Sequence, residues 1–361
     1  MINSIQIIDS LDVGGAERVA VNYANGLLGF VNSSHICVTR KEGPLKPSIE
    51  KQVGYVFLNK KSRLDISAIL KLRKYITSKK INLIHAHSSS FFIAFLIKLT
   101  LPRIKIVWHD HYGKSEFLSS RPKFSLKIAS IFFDQIFSVN QKLKQWSIDN
   151  LFCNKVDYIK NFPVLKNSNS DTTKIYGNEG KRIVCLANLR EQKNHLQLLN
   201  AFKIVVEHYP DWTLHCVGKN FGDDYSKIFF NRIDALELKN NVFFYDSKKD
   251  ILNILNQMDI AVLVSKSEGL PLALLEYGLS NLPVICTNVG DCGKLIPDIT
   301  YGVLLDDDNA TLIAKEIIGL IENKDFRQKI SIAFNKKIIE EYSEEKILVD
   351  ILNKYNLILK S

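Results

Sequence analysis

Two glutamates eight residues apart carry the most specific chemistry in this sequence. Glu268 and Glu276 lie within residues 265–276, directly after the aliphatic run at residues 259–264. The aliphatic run predicts a buried parallel strand, and residues 270–278 predict a helix. One carboxylate then lies on the loop and the other about two turns along the helix. The two groups can bind hydroxyls near opposite ends of one elongated ligand.

The start of the predicted helix is a candidate anion site. Pro271 falls in its first turn, where a missing N–H has no cost. Gly269, Leu270 and Leu272 would then present backbone N–H groups to a phosphate. A phosphate on these amides and hydroxyls on the two carboxylates together describe a nucleotide sugar. The competing interpretation is structural, with one glutamate capping the helix and the other in solvent.

The segment resembles the Glu-x7-Glu signature of family 4 glycosyltransferases. Four further motifs of that family precede this segment, in the order expected of the family, at residues 5–19, 84–88, 107–113 and 187–195. The resemblance implies the α/β arrangement called GT-B, with two facing Rossmann-like domains, a cleft between them and a C-terminal helix crossing back to the first domain. It also implies a retaining enzyme that uses a nucleotide diphosphate sugar.

Alternating short strands and helices support two parallel sheets. Strands are predicted at residues 5–9, 34–39, 55–58, 83–86, 105–108 and 135–139, and then at 182–186, 212–217, 242–245, 260–264 and 283–286. The predicted domains are an acceptor domain (residues 1–165), a linker (166–180), a donor domain (181–340) and a C-terminal helix on the first domain (341–361).

The donor phosphates have candidate partners in both halves. Gly14 and Gly15 follow the first strand and permit close approach of a ligand to the backbone, and the resemblance places this loop near the donor phosphates or the acceptor. By the resemblance, Lys193 neutralises the leaving diphosphate and acts in catalysis. The resemblance also makes Glu268 a catalytic residue that binds a hydroxyl of the transferred sugar, and Glu276 the partner of the ribose hydroxyls. This chain departs from the family pattern, because Asn188 occupies the place of the family arginine and Arg190 stands two residues later.

Histidines mark the carboxyl end of the strand at residues 105–108, where open α/β sheets place their ligands. By the resemblance, His109 lies close to the donor sugar and is a candidate catalytic residue. His87 and His111 are candidate acceptor or cleft residues. Each of these histidines also has a purely structural alternative.

Composition indicates a folded protein with an anionic partner. The chain is 46% hydrophobic and 24% charged, with a net charge of +10. Residues 1–170 hold 25 Lys and Arg against 11 Asp and Glu, or +14, and the remainder holds 23 against 27, or −4. This asymmetry favours an anionic membrane surface or a lipid pyrophosphate. Nucleic acid is not expected, because no basic stripe with interleaved aromatics is present.

No cofactor or metal is expected. The six cysteines lack metal-ligand spacing, and Asp306, Asp307 and Asp308 precede a helical run that they are expected to cap. No leader is evident, and the apolar residues 90–97 are too short to span a bilayer. The predicted location is cytoplasmic and peripheral, on the inner face of the cell membrane. The segment at residues 121–133 mixes basic and apolar residues, as an interfacial helix or a packing helix does.

The prediction is therefore a retaining glycosyltransferase of bacterial surface-polysaccharide synthesis (lipopolysaccharide, O-antigen or capsule). It would move a hexose or related sugar to a saccharide acceptor on a polyprenyl diphosphate. Two alternatives stay open: a nucleotide-sugar 2-epimerase of the same fold, and a non-catalytic nucleotide-sugar-binding module.

Overall fold

The computed structural model describes residues 1–165 and 172–360. These form two units, one of Met1–Phe162 with the C-terminal segment from Glu344, and one of Pro163–Ser343. Residues 166–171 of the predicted linker lie outside the described residues. Its later part is held by the second unit, where the Thr173 amide donates to Asp250 Oδ2 at 2.6 Å.

The first unit contains a seven-stranded parallel sheet. Its strands are β1 Asn3–Ser10, β2 Ser33–Lys41, β3 Gly54–Phe57, β4 Leu83–His87, β5 Lys105–Asp110, β6 Gln135–Ser138 and β7 Val156–Tyr158, in the order β3-β2-β1-β4-β5-β6-β7. Its helices are α1 Gly15–Gly26, α2 Ile66–Ser78, α3 Phe91–Thr100, α4 Phe124–Ala129 and α5 Gln141–Asn150. The order reverses between β1 and β4, which makes their carboxyl ends the expected ligand position.

The second unit repeats this design with six parallel strands. They are β8 Arg182–Leu186, β9 Thr213–Val217, β10 Val242–Tyr245, β11 Ile260–Leu263, β12 Val284–Thr287 and β13 Val303–Leu305, in the order β10-β9-β8-β11-β12-β13. The helices are α6 His195–His208, α7 Asp224–Ala235, α8 Ile251–Leu255, α9 Leu272–Leu279, α10 Cys292–Leu295, α11 Ala310–Glu322 and α12 Lys324–Tyr342. Here the order reverses between β8 and β11.

Short 3-10 turns connect several of these elements. They are Leu27–Gly29, Lys46–Ser48, Ser88–Ser90, Leu118–Ser120, Ser130–Phe132 and Glu191–Lys193.

The C-terminal helix α13, Glu344–Lys360, belongs to the first unit. It packs on α1 at Gly26, where an added Cβ would lie 2.6 Å from Leu348 Cδ1. Gly26 is therefore required by the close approach of two helices rather than by a turn. The Tyr355 hydroxyl reaches the sheet and lies 2.5 Å from His85 Nδ1. A residue near the chain end thus contacts the polar centre of the first sheet.

All eleven predicted strands are present, with bounds shifted by at most two residues. The prediction missed β7 and β13, which have three residues each and lie at sheet edges. A three-residue strand is too short for a recognisable pattern, and an edge strand needs less apolar sequence than a central one.

The predicted interfacial segment at residues 121–133 is partly wrong. Its helix α4 spans only six residues, and the Arg121 side chain is 6% exposed. The Arg121 guanidinium donates to both Asp110 carboxylate oxygens at 2.7 and 2.8 Å and lies 4.1 Å from the Trp146 ring centroid. A buried bidentate pair of this kind is structural, because removing one partner leaves an uncompensated charge. Arg121 therefore cannot serve a membrane surface.

All six cysteines are buried as free thiols: Cys37, Cys153, Cys185, Cys216, Cys286 and Cys292. The apolar residues 90–97 fall within the turn Ser88–Ser90 and the helix α3, which lies in the first domain. Within the described residues, none of the helices combines the length and hydropathy of a bilayer span.

Candidate functional site

The second sheet brings two predicted catalytic residues together at its point of strand reversal. The loop after β8 carries Lys193, and the loop after β11 carries Glu268. Lys193 Nζ donates to Glu268 Oε1 at 2.5 Å, and Ser265 Oγ donates to the same oxygen at 2.6 Å. The two loops are also joined through the backbone, where the Lys266 amide donates to the Gln192 carbonyl at 2.8 Å.

The Lys193–Glu268 pair is largely removed from solvent. The Glu268 side chain is 7% exposed and the Lys193 side chain is 19% exposed. Two charge-assisted hydrogen bonds to one oxygen fix the direction of the carboxylate. The pair therefore presents one oriented carboxylate and one partly exposed cation at the carboxyl edge of the sheet, where a sugar hydroxyl and a phosphate would each find a partner.

The α9 helix begins later than predicted. It starts at Leu272, and Pro271 is its N-cap in an extended conformation (φ −73°, ψ 121°). Gly269 and Leu270 therefore lie on the loop before the helix, so the three predicted amides are not a single helical turn. Their loop is held from outside, since the Asp291 amide donates to the Gly269 carbonyl at 2.9 Å.

Gly290 supports this loop and was not anticipated from the sequence. It has φ +58°, and an added Cβ would lie 2.3 Å from the Glu268 carbonyl oxygen. Both the left-handed backbone and the close approach require glycine here. Gly290 thus fixes the backbone that carries Glu268.

Glu276 is 1% exposed within α9, so the solvated alternative is wrong for this residue. The next residue, Tyr277, accepts a hydrogen bond from the Leu186 amide at 2.6 Å through its hydroxyl. This bond ties α9 to the end of β8. The helix that carries Glu276 is therefore anchored to the strand that leads toward Lys193.

Arg190 and Asn188 have different surroundings. Asn188 Oδ1 accepts from the Lys219 amide at 2.8 Å, which fixes the loop after β9. Arg190 is exposed, and its guanidinium lies 4.5 Å from the Phe221 ring centroid in that same loop. Asn188, which occupies the position of the family arginine, thus holds a loop in place. The Arg190 guanidinium lies next to Phe221 of that loop.

In the first unit, Gly14 and Gly15 follow β1 as predicted, and α1 begins at Gly15. An added Cβ on Gly14 would lie 2.2 Å from Glu17 Oε2, whereas one on Gly15 would meet no atom of the described residues within 4 Å. Glu17 is held over the loop by Ser10, whose hydroxyl donates to Glu17 Oε1 at 3.2 Å. Gly14 accommodates this carboxylate, and Gly15 leaves open space above the backbone.

Four histidine rings stack at the reversal point of the first sheet. His85 and His87 are two residues apart and share one face of β4. His109 lies beside them on β5, and His111 follows β5. Ring centroids are 4.5 Å apart for His85 and His87 and 4.0 Å apart for His109 and His111. The Tyr23 ring covers the stack, 5.9 Å from His109.

Hydrogen bonds link the stack into a ladder. His85 Nε2 lies 3.1 Å from His109 Nδ1, and His87 Nδ1 lies 3.0 Å from His111 Nε2. His87 Nε2 donates to Gln6 Oε1 at 2.9 Å. His109 is fully buried, and its Nε2 has no hydrogen-bond partner among the described residues. The predicted donor-sugar contact therefore falls on a group that lies inside the first domain.

Ring geometry bears on metal binding by this stack. One nitrogen from each of His85, His87 and His109 lies within 4.8 Å of the others. The His85 ring is nearly parallel to its neighbours, however, at interplanar angles of 15° and 14°. Parallel rings direct their in-plane lone pairs side by side, whereas metal ligands must converge on one point. The arrangement therefore fits a hydrogen-bond ladder better than a metal centre.

The run Asp306–Asp308 does not cap α11. The cap is Asn309, whose Oδ1 accepts from the Thr311 amide at 2.8 Å. Asp306 and Asp308 accept from the side-chain amides of Asn288 and Asn194, at 2.9 and 2.7 Å. The run therefore connects loops of the second unit.

The comparisons with known proteins cover nearly the whole chain. Residues 13–162 match the family described as Glycosyltransferase Family 4, and residues 170–337 match that described as Glycosyl transferases group 1. An uncharacterized glycosyltransferase of Haemophilus influenzae is 25% identical over 93% of this chain and 94% of its own. The UDP-Gal:alpha-D-GlcNAc-diphosphoundecaprenol alpha-1,3-galactosyltransferase of Escherichia coli is 25% identical over 82% of this chain and 84% of its own.

Among solved structures, Anabaena HepE in complex with UDP and glucose superimposes with a TM-score of 0.82 at 17% identity, over 99% of this chain and 100% of that one. The two parallel sheets and this likeness define a GT-B fold of two Rossmann-like domains. The protein is a glycosyltransferase and belongs to family 4. The resemblance inferred from the sequence motifs is confirmed.

The histidine stack predicts a stability loss in mild acid. Burial lowers the pKa of His85, His87 and His109 well below 6.5, and lowers that of His111 to about 3. The unfolded chain binds protons below pH ~6.5 that the folded protein does not bind, so stability is unaffected above that pH and falls as pH falls below it. Each such histidine contributes a slope of about 1.4 kcal/mol per pH unit.

Urea unfolding between pH 7.5 and 4.5 measures this slope. His111→Asn should reduce this slope by about 1.4 kcal/mol per pH unit, because it removes one histidine that binds a proton only in the unfolded chain. An unchanged slope in this variant would show that His111 is protonated in the folded protein.

Proposed function

We propose that this glycosyltransferase moves a sugar from a nucleoside diphosphate sugar to a saccharide on a polyprenyl diphosphate, in the synthesis of a bacterial surface polysaccharide. The Lys193–Glu268 pair carries the proposal, because it places a cation and an oriented carboxylate side by side at the ligand edge of the second sheet. The Escherichia coli relative supports the acceptor, since its name gives a GlcNAc-diphosphoundecaprenol acceptor and a UDP-Gal donor.

The donor roles follow from charge and position. Glu276 binds the ribose hydroxyls, and Glu268 binds a hydroxyl of the transferred sugar. Lys193 neutralises the leaving diphosphate together with the backbone amides of Gly269 and Leu270 on the loop and of Leu272 at the start of α9. Arg190 contributes from its position over Phe221. Negative charge grows on the diphosphate as the glycosidic bond breaks, so a preorganised cation there lowers the barrier.

The proposed course retains the configuration of the sugar and uses no metal. The acceptor hydroxyl attacks the face that the diphosphate leaves, through a short-lived oxocarbenium-like ion pair. The Glu268 carboxylate is engaged by Lys193 and Ser265, which suits hydroxyl binding better than nucleophilic attack. A neutral His109 can donate or accept one hydrogen bond to the donor sugar once its buried Nε2 becomes accessible.

The protein is also proposed to work at the inner face of the cell membrane. We call Phe124, Ile128 and Ile131 the α4 face; they are 82%, 42% and 60% exposed. Phe124 and Ile128 lie in α4, and Ile131 lies in the turn Ser130–Phe132 that follows it. Lys123 and Lys127 flank this face. An exposed apolar row with adjacent lysines is the composition of an interfacial anchor.

A panel of UDP and GDP sugars, each with and without a lipid-diphosphate saccharide and with and without EDTA, tests the proposed reaction. Release of nucleotide that depends on the acceptor and survives EDTA is expected. Turnover that EDTA abolishes and manganese restores would overturn metal independence. A C2-epimerised sugar without acceptor would indicate the epimerase alternative, and binding without turnover would indicate the binding module.

The two glutamates should separate in nucleotide binding. Glu276→Gln should weaken nucleoside diphosphate affinity about tenfold through loss of a charge-assisted hydrogen bond. Glu268→Gln should leave it unchanged or tighter, because the free nucleoside diphosphate lacks the transferred sugar and Lys193 loses its anionic partner. Isothermal titration measures both, with the exposed Glu207→Gln as control. Equal losses in the two variants would contradict the assigned roles.

The α4 face should bind anionic vesicles. Lys123→Gln with Lys127→Gln should weaken binding by about 2 kcal/mol, or roughly thirtyfold, since each lysine near an anionic surface contributes about 1 kcal/mol. The matched control is Lys227→Gln with Lys239→Gln, two lysines of the second unit whose side chains are each 70% exposed. Vesicle sedimentation that does not distinguish anionic from neutral lipid at low salt would exclude this surface.

A further inference from the structure

A pocket at the carboxyl edge of the first sheet has no role in the donor chemistry described above. Its charged lining is Arg40 at the end of β2, Lys60 just after β3, and Arg63 further along. Ser89, which follows β4, and Ser125 of α4 add hydroxyls. Parallel strands direct their carboxyl ends to one edge, so residues from three strand ends meet here.

The pocket concentrates positive charge. Its described lining contains three cations and no carboxylate. The neighbouring Asp9 offsets part of this charge, with Arg40 Nε 3.7 Å from Asp9 Oδ2. Both Asp9 oxygens are already engaged, one by Thr39 and the other by Ser89 at 2.6 Å. Counting Asp9, the group keeps a net charge of +2.

Lys60 is the least expected member of this group. It is 7% exposed, and within the described part of the chain no carboxylate lies in ion-pair distance of its Nζ. Burial lowers the pKa of Lys60, with Asp9 opposing and Arg40 adding to the shift. A nearly buried cation without an ion-pair partner is unfavourable unless an anion completes it.

Two arginines, a lysine and a hydroxyl suit phosphate oxygens. Arginine guanidinium groups match the geometry of phosphate, and lysine adds a point charge. A diphosphate with a substituent on each phosphate carries two negative charges, which balance the +2 of the pocket. The shared ligand chemistry is therefore a diphosphate group.

The surroundings favour a lipid source for that diphosphate. The Phe91 and Phe92 rings line the pocket beside the cations, and Arg63 lies 6.0 Å from the Phe92 ring centroid. Ser125 belongs to α4, next to Phe124 of the exposed α4 face. An anion site that adjoins an apolar surface fits a headgroup whose chain stays in the membrane.

We propose that the pocket lined by Arg40, Lys60 and Arg63 binds the diphosphate of the lipid-linked acceptor. This assignment rests on the proposed function, because it identifies the part of the acceptor that the first domain holds. The sugar end of that acceptor would then extend from a fixed diphosphate.

Binding of undecyl diphosphate and of inorganic pyrophosphate, measured by isothermal titration, tests the site without turnover. Arg40→Gln with Arg63→Gln changes two exposed side chains and should weaken undecyl diphosphate binding about tenfold or more. Lys60→Gln should do the same. Arg103→Gln removes one charge, as Lys60→Gln does, from the turn before β5 at the opposite edge of the sheet, and should have no effect.

The outcomes separate the possible errors. Unchanged undecyl diphosphate binding in the Arg40 and Arg63 double variant, with its thermal midpoint retained, overturns the site. Equal affinity for inorganic pyrophosphate and undecyl diphosphate overturns the lipid assignment and indicates a free diphosphate as the ligand.

The acceptor dependence of turnover distinguishes this proposal from the proposed function. The double variant should raise the acceptor KM about tenfold or more and leave nucleotide-sugar binding unchanged. Transfer with an unchanged acceptor KM would refute the pocket alone. Absence of transfer in every donor and acceptor combination, with diphosphate binding still lost in the variants, would refute the proposed function and support the site.

Discussion

The candidate site of the second domain depends on the ion pair between Lys193 and Glu268. The pair joins the loops after β8 and β11 where the strand order reverses. Ser265 adds a second hydrogen bond to the same carboxylate oxygen, and Gly290 supports the backbone behind it. Because the pair is mostly buried, its geometry is set before any ligand arrives. The two groups most suited to sugar and phosphate are thus preorganised together.

The first domain solves a different problem, which is to bury polar rings on a parallel sheet. His85, His87, His109 and His111 satisfy most of their nitrogens with one another and with Gln6 and Tyr355. Burial keeps them neutral, so adjacent rings do not repel. Tyr355 lies on the C-terminal helix α13, and the Tyr355 hydroxyl contacts His85 at one end of the ladder. The helix therefore contributes to the polar centre as well as to apolar packing.

Basic residues of the first domain serve three separate purposes. Arg121 forms a bidentate ion pair with Asp110, in which both side chains are nearly inaccessible to solvent. Arg40, Lys60 and Arg63 meet at the edge of the sheet, and Lys123 and Lys127 flank an exposed apolar face. The net charge of the sequence does not distinguish these uses, because a charge inside an ion pair and a charge facing solvent count equally. Only burial and partners tell them apart.

The sequence by itself determined the two parallel sheets and the family, because aliphatic runs and motif spacing are local properties. It also determined that Glu268 and Lys193 follow strands, that Glu276 lies on a helix, and that His109 lies at a strand end. The tertiary structure decided which distant residues meet. Lys193 and Glu268 are 75 residues apart, and His85 and Tyr355 are 270 apart. It also placed Arg121 in a bidentate ion pair with Asp110 and assembled the cationic pocket from three strand ends. These contacts depend on strand order and on how helices cover the sheet. Neither can be predicted from the residue pattern of a single segment.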